Sequence, residues 1–180
     1  TLLRQGDYPG ARARFDEARR LDPRDARAAF YLGEWEFQQG RYAEALPRFA
    51  EALRLDPNLA EAHAQRGAAL RALGRVPEAI ASLQEALRLR PTLGEAHTLL
   101  GLCHEDQHDT AAAVTAYRQA TARLRDDPNP AILLATVLVA GNPAPGSAEH
   151  AEALRALREA VRRGDRDVAA LSTAGPLRRR

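Results

Sequence analysis

Residues 40–57 read GRYAEALPRFAEALRLDP. Ala45, Phe49 and Ala52 are spaced four and three residues apart, which places them on one face of a helix. Gly40 supplies a tight turn before that helix. Pro57 cannot continue it and restricts the residue before it, so the helix ends there.

Working outward, the same phrase returns twice. GDYPGARARFDEARRLDP begins at Gly6 and GRVPEAIASLQEALRLRP begins at Gly74, so the glycines and the closing prolines Pro23, Pro57 and Pro91 both step by 34 residues. Between them lie ARAAFYLGEWEFQQ, AEAHAQRGAALRAL and GEAHTLLGLCHEDQ at the same spacing. A period of this length is the mark of stacked repeats, each too small to bury its own apolar face.

Counted from Ala26, Ala60, Gly94 and Pro128, the unit has fixed occupants. Positions seven and eight are Leu32-Gly33, Arg66-Gly67 and Leu100-Gly101. Position twenty is Ala11, Ala45, Ala79 and Ala113, position twenty-four is Phe15, Phe49, Leu83 and Tyr117, and position twenty-seven is Ala18, Ala52, Ala86 and Ala120. This pattern resembles the tetratricopeptide repeat, a helix–turn–helix unit of 34 residues. The resemblance implies an all-α, right-handed α-solenoid of antiparallel helix pairs A and B. A glycine inside helix A costs about 1 kcal/mol against alanine. The compensation expected here is close approach of helix B at its small alanine.

The repeat divides the chain as one array: a partial first repeat over 1–25, then 26–59, 60–93, 94–127, and an atypical fifth over 128–163. In the fifth, NPAILLATVLVA keeps phase with Ala135 in the glycine's place, while the second helix arrives about six residues late after a loop insertion at about 141–150. Residues 164–180 read as a closing helix and tail. Residue 1 is not methionine, and the chain reads as a piece of something longer.

Composition narrows the class. Aromatics make up 5% and the net charge is +2, with every basic residue an arginine, so no concentrated basic face for nucleic acid is indicated. A single cysteine forms no internal disulfide. No apolar run is long enough to span a membrane, and no signal peptide is read in these residues, which as a piece of something longer say little about targeting of the parent. A cytoplasmic location is expected.

The stretch HTLLGLCHEDQH, residues 97–108, raises a metal question. His97, His104 and His108 share one side of a helix, and His63 stands at the position of His97 one repeat earlier. Imidazoles four apart can share a transition metal. No Cys or carboxylate completes a recognised spacing, and these histidines fill ordinary pattern positions, His108 being the turn. No metal and no cofactor is expected, and Cys103 reads as a small packed residue. There is no phosphate loop and no nucleophile–base set, so no catalytic residues are assigned. Arg162, Arg163 and Arg178 to Arg180 read as a flexible polar end.

Two residues break the pattern. Glu36 stands at position eleven and Arg66 at position seven, both normally apolar. They are expected to pair across the seam between the second and third repeats. The alternative is a rotated helix that buries Trp35 or Phe37 and exposes Glu36.

The resemblance implies a protein-interaction scaffold whose A helices line a concave, peptide-binding groove. Its candidate residues are Arg27, Phe30, Glu34, Phe37, Gln38, Glu61, Arg71, Glu95, Thr98, Leu102, Glu105 and Asp106. Acidic residues exceed basic ones there, while arginines gather on the B helices. A basic and apolar partner segment is therefore expected, with Phe30 and Phe37 as an anchor pocket, and with nucleic acid, membrane and small molecules set aside. Chaperone-binding members of the family hold a C-terminal carboxylate with Lys, Asn and Arg on the A helices. Arg27 is the one cation at those positions here, so that activity is not expected. The alternative function is a regulatory or docking arm of a larger enzyme, such as a bacterial Ser/Thr protein kinase or a glycosyltransferase.

Overall fold

The computed structural model describes the backbone of residues 8–164 and the side chains of residues 12–164. The partial helix at Thr1 to Gln5, Gly6, the side chain of Ala11, the closing helix and Arg178 to Arg180 lie outside the described residues. The described residues form nine helices and no strand: α1 (Tyr8–Leu21), α2 (Ala26–Gln38), α3 (Tyr42–Leu55), α4 (Ala60–Ala72), α5 (Val76–Leu89), α6 (Gly94–Asp106), α7 (Thr110–Arg123), α8 (Asn129–Ala140) and α9 (Ala148–Arg162). They belong to two compact units, Thr1–Pro91 and Thr92–Arg180. In the first, α2 packs on α3 and α4 on α5, with α1 against α2 and α3 against α4. In the second, α6 packs on α7 and α8 on α9, with α7 against α8. This is the all-α, solenoid-type architecture of helix pairs that the repeat implies.

The A-to-B turns show why one position must be special. Gly40 and Gly74 have φ of 73° and 75°, in the left-handed region that favours glycine. The N–H of Arg41 reaches back to Glu36 O at 3.0 Å and that of Gly40 to Phe37 O at 2.9 Å. This pair of bonds is a Schellman motif, which satisfies carbonyls the helix would otherwise leave open. Arg75 to Leu70 and Asp109 to His104 repeat it, both at 2.9 Å. His108 takes the glycine's place in the third turn with φ 59°, and Asn142 in the fourth with φ 49°.

Helix pairing also locates the core. Ala45, Ala79 and Ala113, with Phe49, Leu83 and Tyr117 and with Ala52, Ala86 and Ala120, are all fully buried. The close approach to the position-eight glycine comes mainly from the large side chain of helix B and not from its alanine. A Cβ on Gly33 would stand 2.6 Å from the Phe49 ring, and one on Gly67 would stand 2.7 Å from Leu83 Cγ. The alanine contributes only its backbone, with Ala79 O at 3.2 Å from the latter. Gly101 faces Tyr117 in the same way. In the last pair, Ala135 replaces the glycine and α9 presents Leu157 with Ala153 and Ala160, all buried.

Arg163 corrects the reading of the basic end. Its side chain is only 9% exposed and lies 2.9 Å from Glu159. Its guanidinium donates to Leu124 O at 3.0 Å, Asp127 O at 3.1 Å and Thr121 O at 3.3 Å. A cation at the carbonyl end of α7 is favoured by the helix dipole as well as by these bonds. Arg162 stays exposed and pairs with Glu159.

Candidate binding faces on the A helices

In the first unit, α2 begins at the N-cap Asp25, whose side chain accepts from the N–H of Arg27 at 2.8 Å. Arg27 is exposed. Phe30 is not available as an anchor: it is 8% exposed and packs on Phe49, ring centroids 6.1 Å apart, and on Tyr31 at 5.3 Å. Its position faces the seam between α2, α3 and α4, and an aromatic is large enough to be drawn into it. Phe37 is half-buried, edge-on to Tyr42 at 5.0 Å. The two rings therefore do not make one open pocket. Glu34 and Arg71 are half-buried and Gln38 is exposed.

Glu61 on α4 carries a partner that the groove positions do not contain, Arg90 at the end of α5. Burial by itself would raise this carboxyl. The Arg90 hydrogen bond, the Glu61 N–H, and the charges of Arg90 and Arg27 outweigh it and hold the group below its usual value. Sequence reasoning misses Arg90 because it follows helix B and is not on an A helix. The signal is its place at the far end of the same repeat, where helix B returns to the start of helix A.

Glu36 and Arg66 do not pair. Arg41, at the turn after α2, places its Nε 2.7 Å from a Glu36 carboxylate oxygen, an ion-pair distance though out of line for a hydrogen bond. The Glu36 side chain is 12% exposed, and Trp35 beside it is buried. Two guanidinium groups lie over the ring of Trp35, Arg41 at 4.4 Å and Arg12 of α1 at 4.7 Å. Glu36 is thus neither paired across the seam nor turned out to solvent. The Schellman turn brings Arg41 back over the last turn of its own helix, closer than a residue one repeat away.

In the second unit, Glu95 and Asp106 are exposed at the two ends of α6. Between them Thr98 donates to Gly94 O at 3.2 Å. Leu102 is half-buried, and Ile132 and Val139 of α8 lie with it over one core cluster built on Tyr117, Leu134 and Leu138. Glu105 accepts the Tyr117 hydroxyl and is half-buried. This face carries acidic groups and apolar side chains and no arginine from α6 or α8.

His63 holds Pro57 O at 3.1 Å, and the O of His63 accepts from Ser82 at 2.9 Å across the α4–α5 contact. Cys103 is fully buried. Among the described residues no group of three or more His, Cys, Asp or Glu is placed to hold a metal ion. No described helix is long and apolar enough to cross a membrane.

The arginines of the B helices are largely matched by acids. Arg19 lies 3.3 Å from Glu51, and Arg118 forks onto Glu152 with both contacts at 2.6 Å.

The family model described as the tetratricopeptide repeat matches residues 1–60, 36–93 and 64–129, more than half of the chain. No curated protein matches the chain in sequence. Several solved structures share its fold. PilF of Pseudomonas aeruginosa is 22% identical over 94% of this chain and 74% of its own, with a TM-score of 0.82. A thermophilic TPR protein of Thermus thermophilus is 22% identical over 96% and 92%, with a TM-score of 0.77. MamA of Desulfovibrio magneticus is 21% identical over 89% and 87%, with a TM-score of 0.72.

Proposed function

The chain belongs to the tetratricopeptide repeat family, and from that premise we propose that it binds a partner segment carrying Lys or Arg beside a large apolar side chain. The repeats make it a protein-interaction scaffold. Proteins of this fold are in general non-catalytic. The finer reading is that the A-helix face of the second unit takes the segment.

The observation that supports this is the composition of that face. Glu95 and Asp106 stand exposed on α6, with Leu102, Ile132 and Val139 half-exposed over one apolar cluster. A cationic side chain is attracted to the acidic ends, and an aliphatic or aromatic side chain covers the apolar middle. Like-charge repulsion selects against acidic segments. The first unit is less suited, because Phe30, its candidate anchor, is enclosed.

A peptide array tests the reading. Basic and apolar peptides are expected to bind, and Leu102→Glu together with Asp106→Arg should remove that binding. Basic and apolar peptides that bind those variants as tightly as the parent would refute it.

A further inference from the structure

Arg66 has no counterpart in its own repeat pattern. Leu32 and Leu100 stand at the same position one repeat before and after. Its side chain is half-buried, and among the described residues it has neither an ion pair nor a side-chain hydrogen bond. A guanidinium cannot shed its charge. Withdrawing one partly from water with no counter-ion costs stability. Its charge does reach Glu78, but that carboxylate is already forked onto Arg75 at 2.7 and 2.6 Å.

Beside Arg66 lies a surface cavity of about 210 Å³. It is lined by Leu46, Pro47 and Ala50 of α3, Arg66 and Leu70 of α4, and Arg75. Leu70 is fully buried. The site therefore combines apolar side chains, one neutralised arginine and one arginine whose charge is not met.

We propose that this cavity receives a glutamate or aspartate side chain of a partner protein, with an aliphatic neighbour of that residue resting on Leu46 and Pro47. Three features select this occupant. The volume is smaller than that of ordinary small-molecule sites, about 300–1,000 Å³, and holds the share of roughly seven water molecules, enough for a side chain. The net charge to be met is one, because Glu78 already balances Arg75. A carboxylate supplies one negative charge, whereas a phosphate brings about 1.5 to 2. The planar guanidinium also presents paired donors that fit a carboxylate. The site is in the first unit, apart from the α6 face, and does not rest on the reading proposed for that face.

The test is NMR of the whole chain labelled with ¹⁵N-arginine, observing the Arg66 Nε–H. N-acetyl-Leu-Glu-amide should shift that signal saturably. N-acetyl-Leu-Gln-amide should bind at least tenfold more weakly, since only a charged acceptor meets the guanidinium. Arg66→Leu, which restores the residue of the neighbouring repeats, should abolish the difference between the two peptides and raise the midpoint of thermal unfolding. Arg66→Gln should abolish the difference without that apolar gain. Inorganic phosphate at equal ionic strength should compete poorly. Equal binding of the two peptides, no saturable shift with either, retained selectivity in Arg66→Leu, or tighter binding of phosphate than of the Glu peptide would each overturn the proposal.

Discussion

The Arg41 guanidinium lies 2.7 Å from the Glu36 carboxylate while its Cζ sits 4.4 Å over the ring of Trp35. Arg41 belongs to the turn, so this pairing ties the end of α2 to the start of α3. Glu36→Ala should cost about 1–2 kcal/mol. That is less than the 3–5 kcal/mol of a wholly buried pair, because Arg41 remains 41% exposed and keeps water as a partner. Trp35 is the one tryptophan in the sequence, so denaturant unfolding followed by its fluorescence reads the site directly. An unchanged midpoint would show that the contact contributes nothing.

Gly33 and Phe49 make a second pair with a measurable coupling. Gly33→Ala gains about 1 kcal/mol of helix propensity but drives a methyl into the Phe49 ring and against Arg48 Cβ at 3.1 Å. Overpacking of this kind costs about 1–3 kcal/mol, so the substitution should destabilise overall. Introducing Phe49→Ala alongside it, which removes the ring the methyl meets, should cost less than the sum of the two single losses. A double-mutant cycle with no coupling would contradict the close approach.

His108 occupies a backbone conformation that glycine holds in the two preceding turns. A side chain in the left-handed region costs about 1 kcal/mol or more. His108→Gly should therefore stabilise the chain, by about 1 kcal/mol, in thermal or denaturant unfolding. A loss of stability would mean that the imidazole has a role the turn does not account for.

Arg118 and Glu152 link α7 to α9 through two charge-assisted hydrogen bonds. The Arg118 hydrogen bond holds the Glu152 carboxyl below its usual value, against a smaller opposing effect of burial. A carboxyl depressed in the folded state adds stability that is complete above its unfolded pKa, about 4.3. That stability is lost as pH falls through the lower folded value. Glu152→Gln should flatten the acid limb of the stability profile and leave its dependence near neutrality unchanged. An acid limb identical to the parent's would remove Glu152 from the account.

Much of the fold is legible because the repeat positions carry their own physics. Ala45, Phe49 and Ala52 declare a buried face by spacing alone, and the turn glycines declare a backbone that other residues enter at a cost. The late arrival of α9 is equally readable, since Ala153, Leu157 and Ala160 keep the spacing of Ala113, Tyr117 and Ala120. The side-chain partners are not legible. Linear reasoning about a seam assigns Glu36 to Arg66, whereas the Schellman turn delivers Arg41. Phe30 looks like an anchor because its position faces the groove in the family, yet its size lets it fill the seam against Phe49. Glu61 and Glu105 count as groove acids in the sequence, though Arg90 and Tyr117 engage both. Arg163 reads as loose, and only the fold shows the carbonyls of Thr121, Leu124 and Asp127 converging on it.

The claim that the second unit takes a basic and apolar segment is tested most directly by the affinity of one fluorescent peptide containing alternating Lys and Leu. It is measured by anisotropy across a salt series for the parent chain and for Glu95→Arg with Asp106→Arg. The account predicts saturable binding that weakens as salt rises, because exposed charges are screened. It predicts at least a tenfold loss and a flattened salt dependence in the double variant. Equal affinity of the two proteins at every salt concentration would contradict it.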